Sequence, residues 1–320
     1  MASGEQRVAG TVTSDPGGVV AWTQWPDLEV PDGVRLLSSD DGVPTASMLE
    51  RITFYVPQYM GGRRALEPAR DMPNLRVLQV PNAGYDDAAD YLRPGMVLCN
   101  ARGVHDESTA ELAVALALAG RRGFASFASD QHAGTWRHVR FSSLTDSRVA
   151  VVGHGSIGRT IVRMLSGFAV TVVPYSRSGT GGARPVADLP AAIGEFDVVI
   201  LVLPLTTDSA GMFDAALLGR MRNGSLLVNV ARGGIVDTDA LVAELESGRL
   251  YAAVDVTDPE PLPPGHPLWM APNCLVTPHV GGDTTAFEPR MRALVTVQLD
   301  RLSRGEPLAN VVLDGGPLPG

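Results

Sequence analysis

Cysteine is nearly absent from this chain of 320 residues: there are two, Cys99 and Cys274, far apart and without metal-type spacing. Each sits in or beside an apolar, strand-like run, which points to small hydrophobes in a reducing compartment; neither a disulfide framework nor a metal site is expected. Positive charge is not in excess either. A formal net charge of -9 opposes binding to a phosphate backbone, so nucleic acid is not an expected partner. Long apolar runs are missing: the most apolar helical stretch, "ELAVALALAG" from Glu111 to Gly120, is far too short to cross a bilayer. The opening "MASGEQRVAGTVTSD" has no apolar core after its few charges, so no secretory leader is expected. A cytoplasmic, soluble protein with no membrane partner is the resulting expectation. Solenoid-type repeats and low-complexity tracts are absent too.

Hydrophobic residues make up 45% and charged residues 19%, an ordinary globular balance, and the length suits about two domains. Short apolar runs alternate with amphipathic stretches almost throughout, the pattern of βαβ units around a parallel sheet. In the first third the candidate strands are "VRLLSS", "ITFYV", "LRVLQV" and "MVLCN". A long helix, "DESTAELAVALALAGRRGF", follows with a cap-like start, and then a polar connector, "ASDQHAGTWRHVRFSSLTDS". A more regular series begins at Arg148: "RVAVVG", "VTVVPYS", "DVVILVLPL", "SLLVNVA", "LYAAVDV" and "CLVTPH". These runs suffice for a complete doubly wound sheet. Beyond His279 the chain reads as a helix, "TTAFEPRMRALVTVQLDRLSRG", then "EPLANVV". That tail has no sheet of its own and is expected to return to the first lobe. Gly/Pro-rich ends such as "VVLDGGPLPG" are expected to fray.

"VAVVGHGSIGRTIVRML" carries Gly153, Gly155 and Gly158 in G-x-G-x-x-G spacing. Alone the motif is weak, but here it follows a strand and opens a helix whose N-terminal amides can receive a pyrophosphate. Gly153 permits the turn, Gly155 lets phosphate approach the backbone and Gly158 lets helix and strand pack closely. His154 reads as solvent-facing filler.

Polar groups mark later strand ends. "VNVARGGIVD" places Arg232 just after a strand; "AAVDVTDPEPLPPGHPLW" places Asp255 in an apolar strand and Glu260 in the loop beyond; "CLVTPHVGGDT" places His279 before two glycines. Singly, each has a bland reading: a surface cation, a solvated acid, a loop histidine. In an open α/β sheet, however, the C-terminal strand ends line the ligand crevice, so these groups could converge there.

With these motifs the chain resembles the D-isomer-specific 2-hydroxyacid dehydrogenases over nearly its full length: "GHGSIG", "NVARGGIVD", "DVTDPEPL" and "TPHVGG" stand in the family's order. Upstream, "NAGYDDAADYLRPGMVLCNARGVHDESTAEL" is similar to its substrate-loop and crossover-helix region. The resemblance implies an α/β protein of two doubly wound, Rossmann-like domains. The substrate domain would be flavodoxin-like and discontinuous (residues 1–108 and 284–320), and residues 109–283 would bind the dinucleotide.

It further implies reduction of a small 2-keto acid, glyoxylate or hydroxypyruvate being the expected type, to the D-2-hydroxy acid. His279 would give the proton, and Glu260 would hold its imidazole and favour the charged form. Arg232 would bind keto oxygen and carboxylate with its planar fork, and backbone amides near Ala83, Gly84 and Tyr85 would complete the carboxylate site. Asp255 would contact the nicotinamide carboxamide and Thr109 would lie near the cofactor phosphates. Further implied cofactor contacts are Ser156, Ile157, Leu203, Pro204, Val230, Ala231, Gly281 and Gly282. A homodimer formed through the Thr109–Arg122 helix is implied as well. The same family contains nucleotide-sensing corepressors that retain the triad, an alternative class of function.

"VTVVPYSRSG" bears on which dinucleotide is used. An NAD site usually ends its second strand in an acid that accepts from the ribose hydroxyls. Here Ser176, Arg177 and Ser178 stand there, with no acid until Asp188. The hydroxyls and guanidinium suit a 2′-phosphate, so NADP(H) is expected over NAD(H), which remains possible.

Overall fold

The structure, a computed structural model, describes residues 18–38, 44–271 and 273–317. Two compact units divide these: the first runs up to His105 and resumes at Thr285, and the second is Asp106–Thr284.

The first unit begins with strands β1 (Val19–Thr23) and β2 (Val34–Ser38), short helix α1 (Ala46–Leu49), β3 (Phe54–Tyr55), short helix α2 (Gly62–Leu66), β4 (Val77–Gln79) and β5 (Val97–Cys99). The second unit contains α3 (Asp106–Arg122), α4 (Phe124–His132), β6 (Arg148–Val152), α5 (Ser156–Leu165), β7 (Thr171–Ser176), β8 (Arg184–Pro185) and α6 (Leu189–Ala192). It continues with β9 (Val198–Leu201), α7 (Ala215–Arg220), β10 (Leu226–Asn229), α8 (Thr238–Glu246), β11 (Tyr251–Val254) and β12 (Cys274–Val276). The chain then returns to the first unit as α9 (Phe287–Ser303) and β13 (Val311–Asp314).

In the second unit the strand order is β12-β11-β10-β9-β6-β7-β8, every pairing parallel. Side chains alternate between the two faces, as the pleat requires. Val149, Val151, Val198, Ile200, Leu226 and Val228 join α3 and α5 in one core. Ala150, Val152, Val199, Leu201 and Leu227 join α7 and α8 in the other. Both faces are buried, which is why these strands read as unbroken apolar runs. After β6 the chain winds outward to β7 and β8, then crosses to β9 on the other side. The C-terminal ends of β6 and β9 are therefore the topological switch point, where such sheets bind ligands.

The first unit repeats the device on a smaller scale, in the order β13-β5-β4-β3-β1-β2, with β13 alone antiparallel. One core gathers Ala21, Phe54, Val77 and Val97 against Met291, Val295 and Leu299 of α9; Val20, Trp22, Tyr55 and Leu78 face the other.

Several expectations need correction. β1 was not among the strands read from the sequence, although it lies inside the first sheet; its tryptophan and threonine obscure an apolar run only five residues long. The stretch read as a polar connector contains part of helix α4, none of whose residues is buried, so no apolar stripe announces it. The second sheet gains a seventh, two-residue strand, β8. The C-terminal tail is not frayed through its described part. β13 pairs with β5, and beyond it Gly315 N donates to Met96 O at 2.9 Å and Gly95 N to Gly316 O at 2.8 Å. The N-terminal segment up to residue 17 and residues 318–320, also expected to fray, lie outside the described residues.

Candidate active site

The glycine turn after β6 is built for close approach. Gly153 has φ +113°, and a Cβ there would lie 2.5 Å from the Val202 carbonyl oxygen. A Cβ at Gly158 would collide with the carbonyl of Gly153, whereas one at Gly155 would meet nothing within 4 Å. Two glycines are thus required by packing, and the third leaves open space at the start of α5. Gly155 is the N-cap and supplies no side-chain cap, so the first amides of α5, from Ser156 and Ile157 onward, can serve an anion. The residues present fit a dinucleotide pyrophosphate. Asp106, at the start of α3, accepts from the Ser156 hydroxyl at 3.2 Å. Thr109, one turn on, is buried beside Gly281, where a Cβ would stand 3.4 Å from its methyl group.

At the end of β7, the Ser176 hydroxyl accepts from Gly179 N at 3.1 Å and Ser178 Oγ lies 3.0 Å from Thr180 Oγ1. The Arg177 guanidinium pairs with Asp208 at 3.4 Å, both side chains about three-quarters exposed. His154 Nε2 lies 3.2 Å from Gly181 O, so the loop histidine touches the turn after β7. After β9, the loop carrying Leu203 and Pro204 is folded by Ser209, whose buried hydroxyl donates to Pro204 O at 2.7 Å and accepts from Thr206 N at 2.8 Å.

Three further loops bring the triad together. β10 ends in Asn229, 1% exposed, whose amide closes the turn through Val230 and Ala231: Nδ2 donates to Arg232 O at 3.0 Å and Oδ1 accepts from Ala231 N at 3.0 Å. Half-buried Arg232 projects from that turn, its Nη1 donating to Ala231 O at 2.7 Å. A Cβ on Gly233 would collide with Thr257 O, so only glycine lets this loop lie against the next. β11 leads into Asp255, 3% exposed. Its carboxylate accepts from Thr277 Oγ1 at 2.6 Å, Val280 N at 2.9 Å and Gly281 N at 2.9 Å. Gly282 O accepts in turn from Thr284 N at 3.1 Å.

That clamp fixes the turn bearing His279, whose backbone takes φ +55°, a conformation uncommon for a non-glycine residue. His279 Nδ1 meets Glu260 Oε1 at 2.5 Å, each side chain 40% exposed. With Nδ1 engaged, Nε2 is the nitrogen left to face a ligand. Burial pushes the Glu260 carboxyl up. The hydrogen bond and charge of His279, with the Thr257 backbone and the Arg232 cation, outweigh that and hold it below its ordinary value of 4.5. The pair is therefore a carboxylate held against Nδ1 of an imidazole, which fixes the orientation of the ring.

In the first unit, Ala83, Gly84 and Tyr85 form a half-buried loop after β4. Their backbone N–H groups have no acceptor among the described residues. The two thiols stand apart from this chemistry, since burial pushes both Cys99 and Cys274 up to about 12. Among the described residues no group of three or more metal-ligating side chains occurs, and no helix is long and apolar enough to cross a membrane.

Asn229, Ser209 and the clamping role of Asp255 were not read from the sequence. The one available signal was a polar residue closing an apolar strand, as in "LLVN" and "YAAVD".

A doubly wound sheet with this glycine turn at its switch point, and a histidine–carboxylate pair beside an arginine at its strand ends, defines a dinucleotide-dependent oxidoreductase. Comparison with known proteins narrows the class. The family described as D-isomer specific 2-hydroxyacid dehydrogenase, NAD binding domain, matches residues 114–281. The glyoxylate reductase/hydroxypyruvate reductase of Mus musculus is 32% identical over 252 residues, covering 73% of this chain and 76% of that protein. The chloroplastic/mitochondrial formate dehydrogenase of Arabidopsis thaliana is 29% identical over 293 residues, covering 86% of this chain and 75% of that one. A D-isomer specific 2-hydroxyacid dehydrogenase from Xanthobacter autotrophicus Py2, solved with NADPH and MES, superposes with a TM-score of 0.74 at 25% identity, covering 92% of this chain and 98% of that one. The chain belongs to the D-isomer specific 2-hydroxyacid dehydrogenase family. It is an oxidoreductase that works with a nicotinamide cofactor.

Proposed function

We propose that the protein reduces a small 2-keto acid of the glyoxylate or hydroxypyruvate kind to the D-2-hydroxy acid, with NADPH preferred over NADH. The observation that carries this reading is the 2.5 Å His279–Glu260 pair in a crevice that also holds Arg232. Formate dehydrogenases are among the relatives, but oxidising formate to carbon dioxide only removes a hydride and leaves no proton to deliver. Reducing a carbonyl requires one, and an imidazole held at Nδ1 by a carboxylate is placed to supply it from Nε2.

When bound, the reduced nicotinamide supplies the hydride for the carbonyl carbon. Arg232 binds the keto oxygen and carboxylate, and its positive charge favours negative charge developing on that oxygen. His279 gives the proton from Nε2 to the oxygen, and Glu260 holds Nδ1, fixing the ring's orientation. The amides of residues 83–85 receive the substrate carboxylate. The first unit would thus serve the substrate and the second the dinucleotide, held by the turn at Gly153–Gly158 with Leu203, Pro204, Val230 and Ala231 lining its path.

Preference for NADPH is supported by Arg177. Its exposed pairing with Asp208 is of a kind worth about 0–1 kcal/mol, less than the roughly 1.5–3 kcal/mol of a charge-assisted contact to a phosphate. The relative solved with NADPH carries its cofactor on a similar fold. Homodimeric assembly and a cytoplasmic location belong to the same reading. α3 itself packs its apolar side against α5, β10 and β11, while Phe124 and Trp136 just beyond it are 56% and 98% exposed.

Oxidation of NADPH and NADH against glyoxylate, hydroxypyruvate and pyruvate, with formate oxidation run in parallel, tests the proposal. Formate oxidation without turnover of any 2-keto acid would overturn it.

A further inference from the structure

We propose that Asn100 is the positioning residue that aims the 83–85 amides at a substrate carboxylate; this rests on the reading of those amides as the carboxylate site. Asn100 follows β5, whose neighbour in the sheet is β4, and it is 8% exposed. Its Nδ2 donates to Ala83 O at 2.6 Å, and its Oδ1 accepts from Arg102 N at 3.3 Å. Next to it, Ala101 N donates to Asn82 O at 2.9 Å. The turn after β5 therefore holds the loop after β4 at two consecutive residues.

Peptide geometry converts that grip into a direction. The only cis peptides among the described residues precede Pro259 and Pro261, so the Ala83–Gly84 peptide is trans. In a planar trans peptide the carbonyl and the N–H point opposite ways. Fixing Ala83 O on Asn100 turns the Gly84 N–H to the side away from Asn100, where no described residue accepts it. Without a Cβ, Gly84 does little to restrain this plane itself. A side-chain amide suits the task because it offers one donor and one acceptor on one plane, matched to a carbonyl and an N–H. An aspartate would set oxygen against oxygen at Ala83, and an aliphatic residue would leave the carbonyl unheld.

Asn100 is itself braced. Its backbone N donates to Asn310 O at 3.1 Å, and Asn310 Nδ2 donates to Arg102 O at 2.9 Å. Ala309 N donates to Gln298 Oε1, and Gln298 Nε2 donates to Gln79 Oε1, each at 2.8 Å. Gln79 and Gln298 are fully buried, so a run of amides ties α9, β4 and the turn at Asn100 into one support.

The test uses Asn100→Ala and Asn100→Asp, with glyoxylate as substrate, oxalate as inhibitor, and NADPH binding followed by fluorescence. The carboxylate contact is the same in ground and transition states, so its loss raises KM and spares kcat. Both variants should raise the glyoxylate KM and the oxalate inhibition constant roughly tenfold or more. Turnover and the NADPH dissociation constant should stay within about threefold, since cofactor binding and chemistry keep their residues. An unchanged KM in Asn100→Ala overturns the inference. So does a rise confined to Asn100→Asp, which would reflect the added charge, or a rise in KM accompanied by a joint loss of kcat, NADPH binding and melting temperature, which would mark general damage. An unmodified protein that reduces no glyoxylate or hydroxypyruvate overturns the functional reading, and the inference with it.

Discussion

Replacing Asp255 with asparagine changes one atom of a buried side chain, yet it should lower both stability and turnover. Oδ1 takes two donors, the Thr277 hydroxyl and Val280 N, and Oδ2 takes one, Gly281 N. Asparagine has a single oxygen, which will keep the position that serves two donors. Its amide nitrogen then faces the buried Gly281 N–H, donor against donor. Losing a charge-assisted bond costs about 1.5–3 kcal/mol, and a buried unsatisfied N–H about 1–3 kcal/mol. The two figures overlap, so about 2–3 kcal/mol is expected. For a unit of this size that is roughly 4–12 °C in melting temperature. The loosened turn carries His279, whose φ of +55° is intrinsically unfavourable and relaxes when the clamp weakens. Misplacing the proton donor should cut turnover about 10- to 100-fold. Calorimetry and steady-state oxidation of NADPH measure the two effects. A variant that melts and turns over like the unmodified protein would refute the reasoning, because Asp255 would then not be holding the turn.

Three further substitutions probe the triad and the cofactor. His279→Ala should lower turnover roughly 10²–10⁴-fold with cofactor binding intact, the loss expected for one general acid; near-normal turnover would remove it from the proton-donor role. Glu260→Gln should lower turnover about 10-fold or more, because the His279 ring loses the carboxylate that holds Nδ1 and aims Nε2, and unchanged turnover would separate the pair. In the unmodified protein Glu260 is held below 4.5, so the pair's contribution to stability is present above that value and fades as pH falls through the lowered one. Arg177→Ala should weaken NADPH roughly 10- to 150-fold and leave NADH nearly unaffected; equal catalytic efficiency with both cofactors before any substitution would contradict the reading of the β7 end.

Much of this was legible because burial on both faces of a parallel sheet leaves unbroken apolar runs, and because the glycine turn has a fixed spacing. Arg232, Glu260 and His279 stood out as polar residues interrupting or ending such runs. What escaped was of two kinds. β8 and α4 bury too little to show a period: β8 has two exposed residues and α4 none that is buried. The holding residues escaped for another reason. Asn229, Ser209 and Asn100 act on backbone atoms, and a sequence states the type of a side chain but not which carbonyl or amide it meets. Asp255 was noticed, but its partners Thr277, Val280 and Gly281 lie on the following strand end, and only the fold brings them to it.

These holding residues share a placement. Asn229 is the last residue of β10, while Asp255 and Asn100 each come directly after their strands, β11 and β5. All three are buried, and each bonds the backbone of the loop that carries a reactive or receiving group. Arg232, His279 and the 83–85 amides lie farther out, where side chains are partly exposed. A strand end is the most rigid point from which a loop can be held, since its own backbone is already fixed by its neighbours in the sheet. Placing the clamp there and the reacting group on the loop that it holds separates two demands that one residue would meet poorly. The clamp can be buried and fully hydrogen-bonded, while the reacting group keeps an open face. On this reasoning, substitutions in the outer loops should change which acid is accepted, while substitutions of the clamps should lower turnover or affinity for every acid alike. A clamp variant that exchanged one substrate preference for another, with its rate intact, would show that the division does not hold.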